Sequence, residues 1–208
     1  MTSKKTIGVI DYGMGNLRSV GKAVERMGGS VYVGSDPKKL RQAEKLILPG
    51  VGAFGDAMRE LKRRNLISVI GEAIEKRKPF LGVCLGLQLL FERSEESPGV
   101  KGLGVWKGVV KRFRLKKGDD LKIPQMGWNQ VNWVKPSPIV KGVKTQSYFY
   151  FVHSYFADPK DRSLIVGNTD YSVKFPSVLA NGTVFAVQFH PEKSQNKGLK
   201  ILKNFIEL

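Results

Sequence analysis

The 208 residues carry 35 Lys and Arg against 18 Asp and Glu, a formal charge of +17, and 41% are hydrophobic. That balance describes a folded globule with core enough for one domain over 1–208, and it excludes a disordered chain. A single cysteine excludes an intrachain disulfide and suits a reducing compartment. The basic residues are scattered, at 38–39, 62–64, 76–78, 111–117 and 193–203. With no zinc-ligand set and no recognition-helix signature, they read as solvated surface or as docking charge for an acidic partner, not as a nucleic-acid site. The apolar run 6–10 is too short for a signal segment and is interrupted at Asp11, and no run reaches the length of a membrane span. The expectation is a cytoplasmic protein without a membrane.

Taken in order, residues 4–10 read as a strand ending in the glycine-marked loop Asp11-Tyr-Gly-Met-Gly-Asn16. Leu17, Val20, Val24 and Met27 recur at helical spacing until Gly28-Gly29 stops them. A second strand follows at 30–33, a turn or short helix opens at Asp36-Pro37, and a third strand at 45–48 runs into Pro49-Gly-Val-Gly-Ala-Phe-Gly55. Residues 57–64 and 66–75 read as a helical stretch broken near Asn65. Residues 80–83 read as a buried strand, and 87–91 as the first turns of a helix. Strand and helix thus alternate through about the first ninety residues, the pattern of a parallel, doubly wound sheet. Ligands of such sheets bind outside the carboxyl ends of the strands. The loops 11–16 and 49–55 and the turn at Cys84 converge there. From Ser97-Pro98-Gly99 the chain becomes β-like, at 105–114, 130–134, 147–157, 163–168 and 177–188, with Asn181-Gly182 as a hairpin turn. Residues 116–122 are the expected mobile loop. A last helix at 197–206 turns Leu199, Leu202, Phe205 and Ile206 inward.

The chemistry centres on Gly82-Val-Cys84-Leu-Gly86, the cysteine counterpart of the G-x-S-x-G nucleophile elbow. Small flanking residues let the backbone turn sharply around one strained nucleophile, at a helix N-terminus that favours thiolate. The Leu85 N–H would face the same space and could bind an oxyanion. A free cysteine is more commonly a buried small hydrophobe, so the pattern alone leaves both readings open. Gly50-Val-Gly52-Ala-Phe-Gly55 fits G-x-G-x-x-G, but it does not follow the first strand, and the acidic candidates Glu72 and Glu75 lie in a helical pattern. No dinucleotide or other cofactor is expected, and no metal. A glycine-rich loop beside a nucleophile more plausibly lends N–H groups to an oxyanion.

A cysteine nucleophile needs a base held by a third group. Only His153 and His190 are available. His190 ends an apolar run and is followed by Pro191-Glu192, so Glu192 can hold one ring nitrogen. His153 has Asp158 as its nearest acidic neighbour, beyond Tyr155-Phe156. His190 is the preferred base.

Gly82–Gly86, Phe189-His-Pro-Glu192 and Pro49-Gly-Val-Gly52 together resemble the class I, triad-type glutamine amidotransferases. The motifs at 10–19, 48–56, 82–96, 124–129, 150–155 and 188–194 are more closely similar to the glutaminase subunits of imidazole glycerol phosphate synthases, and they span essentially the whole chain. The resemblance implies an α/β, flavodoxin-like class I amidotransferase fold: an open, mixed, largely parallel sheet flanked by helices, with a β-rich C-terminal half. It implies Cys84 as nucleophile toward the glutamine side-chain amide, His190 as general base and then acid, and Glu192 as the group orienting the imidazole. Backbone N–H groups of Leu85 and of Val51-Gly52 would form the oxyanion hole. Gln88, Glu96, His153, Ser154 and Tyr155 would hold glutamine. A separate cyclase subunit is the implied partner, facing Asn16, Trp128, Tyr150 and Lys193. The stretch 113–121 looks longer and more basic than the pattern requires.

Overall fold

The computed structural model describes residues 6–118 and 120–208. Strand β1 (Thr6–Ile10) leads into helix α1 (Leu17–Arg26), then β2 (Ser30–Gly34), α2 (Pro37–Gln42) and β3 (Lys45–Leu48). Residues 4 and 5 of the predicted first strand, and Asp119 of the predicted loop 116–122, lie outside the described residues. Helix starts follow their capping chemistry: the Asn16 side chain accepts the Ser19 N–H ahead of α1, and Asp36 accepts the Lys38 N–H ahead of α2, whose first residue is Pro37. Helices α3 (Phe54–Arg63) and α4 (Leu66–Glu75) are split at Asn65, which takes the left-handed conformation at φ 55°.

Next come β4 (Phe80–Val83), the short α5 (Leu85–Leu89) and β5 (Phe91–Ser94). The expected helix at 87–91 is therefore displaced. The turn at Cys84 starts it two residues earlier, and Phe91 leaves it because its strand pairs with Trp106 of β6 (Trp106–Arg112). The β-like half holds β7 (Gln125–Trp133), β8 (Ser147–His153), β9 (Tyr155–Pro159), β10 (Ile165–Tyr171), β11 (Val173–Asn181) and β12 (Val184–Val187). β7 begins five residues before the sequence reading placed it, since Gln125 to Val131 pair with β8 in unbroken register. The expected strand 147–157 divides at Ser154, sending β8 and β9 into different sheets. Helix α6 (Gln195–Glu207) closes the chain. Along it Ile201, Leu202, Phe205 and Ile206 are buried while Leu199 is only half-buried.

The described residues form a nine-stranded sheet in the order β2-β1-β3-β4-β12-β11-β10-β7-β8, beside a three-stranded sheet β5-β6-β9. β2, β1, β3, β4 and β12 are parallel, and from β11 onward the pairings are antiparallel. Side chains of the parallel strands alternate between two apolar clusters, one per face. Leu46, Leu48 and Phe80 join Leu40, Phe54, Leu61 and Val69 of α2–α4. Ile7, Val9, Ile47, Leu81 and Val83 join Val20, Val24, Leu202 and Phe205 of α1 and α6. Burial on both faces is what a parallel sheet requires. It leaves the carboxyl ends of β1, β3, β4 and β12 as the edge where loops gather.

Candidate active site

Cys84 leaves β4 at φ 54° and ψ −108°. Few residues other than glycine hold positive φ, and the strain is worth ~1–3 kcal/mol. Bonds on both sides hold it there. The Cys84 N–H donates to the Val187 carbonyl at 2.8 Å, and the Cys84 carbonyl accepts the Leu87 N–H at 3.0 Å. The glycines of the motif serve close approach. A Cβ on Gly86 would overlap the Leu48 carbonyl oxygen, and one on Gly82 would stand 2.7 Å from the Gly86 carbonyl oxygen.

His190 lies just past β12, and its Nδ1 donates to Glu192 Oε1 at 2.9 Å. Both side chains are almost wholly buried, at 4% and 2% exposure. An ionised carboxylate only accepts, so the proton sits on Nδ1 and Nε2 is left for Cys84. Nε2 is buried and makes no formed hydrogen bond. Burial by itself pushes the imidazole down, but the neighbouring Cys84, and after it Glu192, outweigh burial and raise it to about 10. The loop is fastened to β8: the His190 N–H donates to the Tyr150 carbonyl at 2.9 Å, while Ser194 Oγ accepts the Tyr150 N–H at 2.9 Å and donates to the His190 carbonyl at 2.6 Å.

His153 is placed differently. Its Nδ1 meets the Tyr155 carbonyl at 2.8 Å, which only accepts, so this ring too carries its proton on Nδ1. Burial pushes it down to about 4, partly offset by that bond, so it is neutral near pH 7. Phe113 and Phe175 pack around it with ring centroids at 5.2 and 5.3 Å. Phe113 thereby gains a place as a wall of the site's aromatic cluster. The basic residues that follow it still have no structural account.

A cleft of about 320 Å³ opens at Cys84 and is bordered by Val51, Gly52, Leu85, Gln88, Glu96, Pro124, Val152, His153, Ser154 and Tyr155. All the residues expected to hold glutamine or an oxyanion thus meet around the thiol. Gln88 Nε2 donates to the Tyr155 carbonyl at 2.9 Å and to Gln188 Oε1 at 3.3 Å. Glu96 Oε2 accepts the Phe54 N–H at 2.7 Å, at the start of α3. Gln188 Nε2 reaches Cys84 Sγ at 3.8 Å. Sequence reasoning gave Gln188 no role. The signal for it was its place two residues before His190, in the segment just past β12.

The oxyanion donors are not assembled. The Leu85 N–H donates to the Gly50 carbonyl at 3.4 Å. In a trans peptide the carbonyl and the following N–H point in opposite directions, so the Val51 N–H is turned away from Leu85.

Among the expected partner-facing residues, Trp128 and Tyr150 are a cross-strand pair with ring centroids 6.0 Å apart, and Lys193 Nζ lies 5.7 Å from the Tyr150 ring centroid. Trp128 is 46% exposed and Lys193 is exposed. Asn16 is exposed and caps α1. A larger open groove of about 640 Å³ runs along Trp133 to Lys141, and none of the residues around Cys84 lines it. Among the described residues no group of three or more His, Cys, Asp or Glu side chains is placed to hold a metal ion, and no helix is long and apolar enough to cross a membrane.

Residues 8–208 match the family model described as glutamine amidotransferase class-I. The chain is 54% identical to the imidazole glycerol phosphate synthase subunit HisH of Aquifex aeolicus, over 95% of this chain and 94% of that protein. It is 52% identical to the HisH subunit of Methanocaldococcus jannaschii, over 97% of this chain and 99% of that protein. Among solved structures, PurLQS from Thermotoga maritima superposes with a TM-score of 0.76 at 21% identity, covering 98% of each chain, a likeness of fold. The chain belongs to the class I glutamine amidotransferase family.

Proposed function

We propose that this chain is the glutaminase subunit of an imidazole glycerol phosphate synthase, a single cytoplasmic domain that hydrolyses L-glutamine and hands the ammonia to a separate cyclase subunit in a heterodimer. The observation that carries the reading is the buried His190–Glu192 pair at 2.9 Å, with its free ring nitrogen left to the strained Cys84. Relatives about 50% identical over nearly their full length bear that subunit's name. Cys84 attacks the side-chain amide carbon, and the electron pair moves onto the carbonyl oxygen. The His190 imidazolium gives its proton to the departing nitrogen, and ammonia leaves a γ-glutamyl thioester. His190, now neutral, takes a proton from the attacking water, and glutamate is released. Glu192 keeps the imidazole in the useful tautomer throughout. Gln88, Glu96, His153, Ser154 and Tyr155 hold glutamine in the cleft.

Stabilising the oxyanion requires the Gly50–Val51 peptide to rotate, freeing the Leu85 N–H and aiming the Val51 N–H at the same point. The exposed Trp128, with Tyr150, Lys193 and Asn16, provides the face for the cyclase subunit. The test is ammonia release from glutamine by the chain alone and with a cyclase subunit carrying its nucleotide. A large rise on mixing, abolished by Cys84→Ala, is expected. Equal rates in both conditions would assign the chain to another synthase or to free-standing hydrolysis, and silence in both would leave a non-catalytic module.

A further inference from the structure

Tyr12 follows β1 in the loop 11–16, and its side chain is fully buried. Its hydroxyl has no hydrogen-bond partner among the described residues. Buried polar groups are nearly always paired, so an orphan of this kind needs a structural account. The hydroxyl rests directly on the backbone of Gly50, where any Cβ would overlap it. The neighbouring packing keeps it there: the Gly15 Cβ position lies 3.6 Å from Gly50 Cα, and Met14 Cε lies 2.6 Å from the Gly52 Cβ position.

Gly50 is also the residue whose carbonyl occupies the Leu85 N–H, through a bond of 3.4 Å that is long for its kind. A carbonyl oxygen stays two bonds from its own Cα, so rotating the peptide carries the Gly50 oxygen around the Cα on which the Tyr12 hydroxyl is packed.

We infer that the Tyr12 hydroxyl is a positioning group for the oxyanion peptide. When the Gly50–Val51 peptide rotates, the Gly50 oxygen leaves Leu85 and accepts a hydrogen bond from Tyr12, and the Leu85 and Val51 N–H groups are both released to the reaction. The rotated state then satisfies the oxygen and the hydroxyl together, while the resting state leaves the hydroxyl unpaired. Burial, and after it the charge at Cys84, hold the phenol above its ordinary range, so it stays protonated and able to donate. The inference rests on the amide-hydrolysing reading of the site.

Tyr12→Phe deletes only the oxygen. Wild type and Y12F are each mixed with the nucleotide-loaded cyclase subunit, kcat and KM for glutamine are measured, and the free chains are melted in parallel. The expected result is a kcat lowered ~10- to 100-fold with KM within about twofold, because an oxyanion donor acts in the transition state and not on bound glutamine. Free Y12F should melt no lower than wild type, since the resting hydroxyl pairs with nothing. An unchanged kcat overturns the inference, as does a lower melting temperature together with a raised KM, which would make Tyr12 a packing residue. A silent wild-type complex would overturn the glutaminase reading, and this inference with it.

Discussion

Replacing Cys84 with Ala should lower the pH at which His190 gives up its proton. Burial disfavours the imidazolium, Cys84 opposes burial first, and Glu192 opposes it second, leaving the ring raised to about 10. An opposite charge close by moves a side-chain pKa by ~1–3 units, and one pH unit corresponds to ~1.4 kcal/mol. Removing the sulfur should therefore bring His190 down by about one to three units. Glu192→Gln, which keeps an acceptor oxygen but loses the charge, should bring it down less. An NMR titration of the imidazole signals reads this directly, because the chain has only two histidines and His153 is held near 4. The sign carries over to stability. A pKa raised from the ordinary 6.5 stabilises the fold fully below about 6.5, and that contribution is lost as pH rises toward about 10. Wild type should thus lose unfolding free energy across that window, and the Cys84→Ala variant should lose less. A wild-type His190 titrating near 6.5, or a variant still titrating near 10, would refute the part assigned to Cys84 in raising the imidazole.

The other histidine works in the opposite sense. His153 is depressed to about 4, so its contribution is present above about 6.5 and lost as pH falls toward 4. His153→Phe should flatten that part of the urea-unfolding profile relative to wild type, and an unchanged difference across the window would remove His153 as its source. Gly86→Ala, whose Cβ would overlap the Leu48 carbonyl oxygen, should destabilise by ~3 kcal/mol or more, read as a lower urea midpoint. A variant unfolding at the wild-type midpoint would mean that the elbow is looser than its packing indicates. The +17 charge should speed docking on an acidic cyclase face, so the association rate should fall as salt rises. Association indifferent to salt would leave the charge as solvated surface.

The parallel half of the fold was legible because its signals are local. Short apolar runs, Pro49 after β3, Pro79 before β4 and the helical spacing of 66–75 place β3, β4 and α4 where the structure has them. The triad was legible for a similar reason: His190 and Glu192 are two residues apart, and Cys84 sits in a motif whose glycines dictate the turn. What escaped depended on partners distant in sequence. Phe91 leaves its helix for a strand that Trp106 supplies, and β7 begins at Gln125 because β8 lies opposite. Ser154 divides two strands that read as one, since the sheets they join were not visible along the chain. Gln188 and Tyr12 lie within the motifs at 188–194 and 10–19, yet nothing local gives either a role. Each matters only through what folding sets beside it, Cys84 in one case and Gly50 in the other.

The same dependence explains how one surface can reach the chemistry. Tyr150 presents its ring to Trp128 and Lys193, while its backbone accepts from His190 and donates to Ser194. Asn16 caps α1 at the end of the loop whose Tyr12 lies on Gly50. The face proposed for the cyclase subunit is therefore one residue removed from the base on one side, and one loop removed from the oxyanion peptide on the other. A partner pressing on both would act on two of the buried groups that the resting chain leaves unsatisfied, the His190 Nε2 and the Tyr12 hydroxyl. Binding energy spent on aligning groups that engage only in the transition state raises kcat rather than glutamine affinity. Activation by the partner should accordingly appear in turnover, with KM for glutamine little changed.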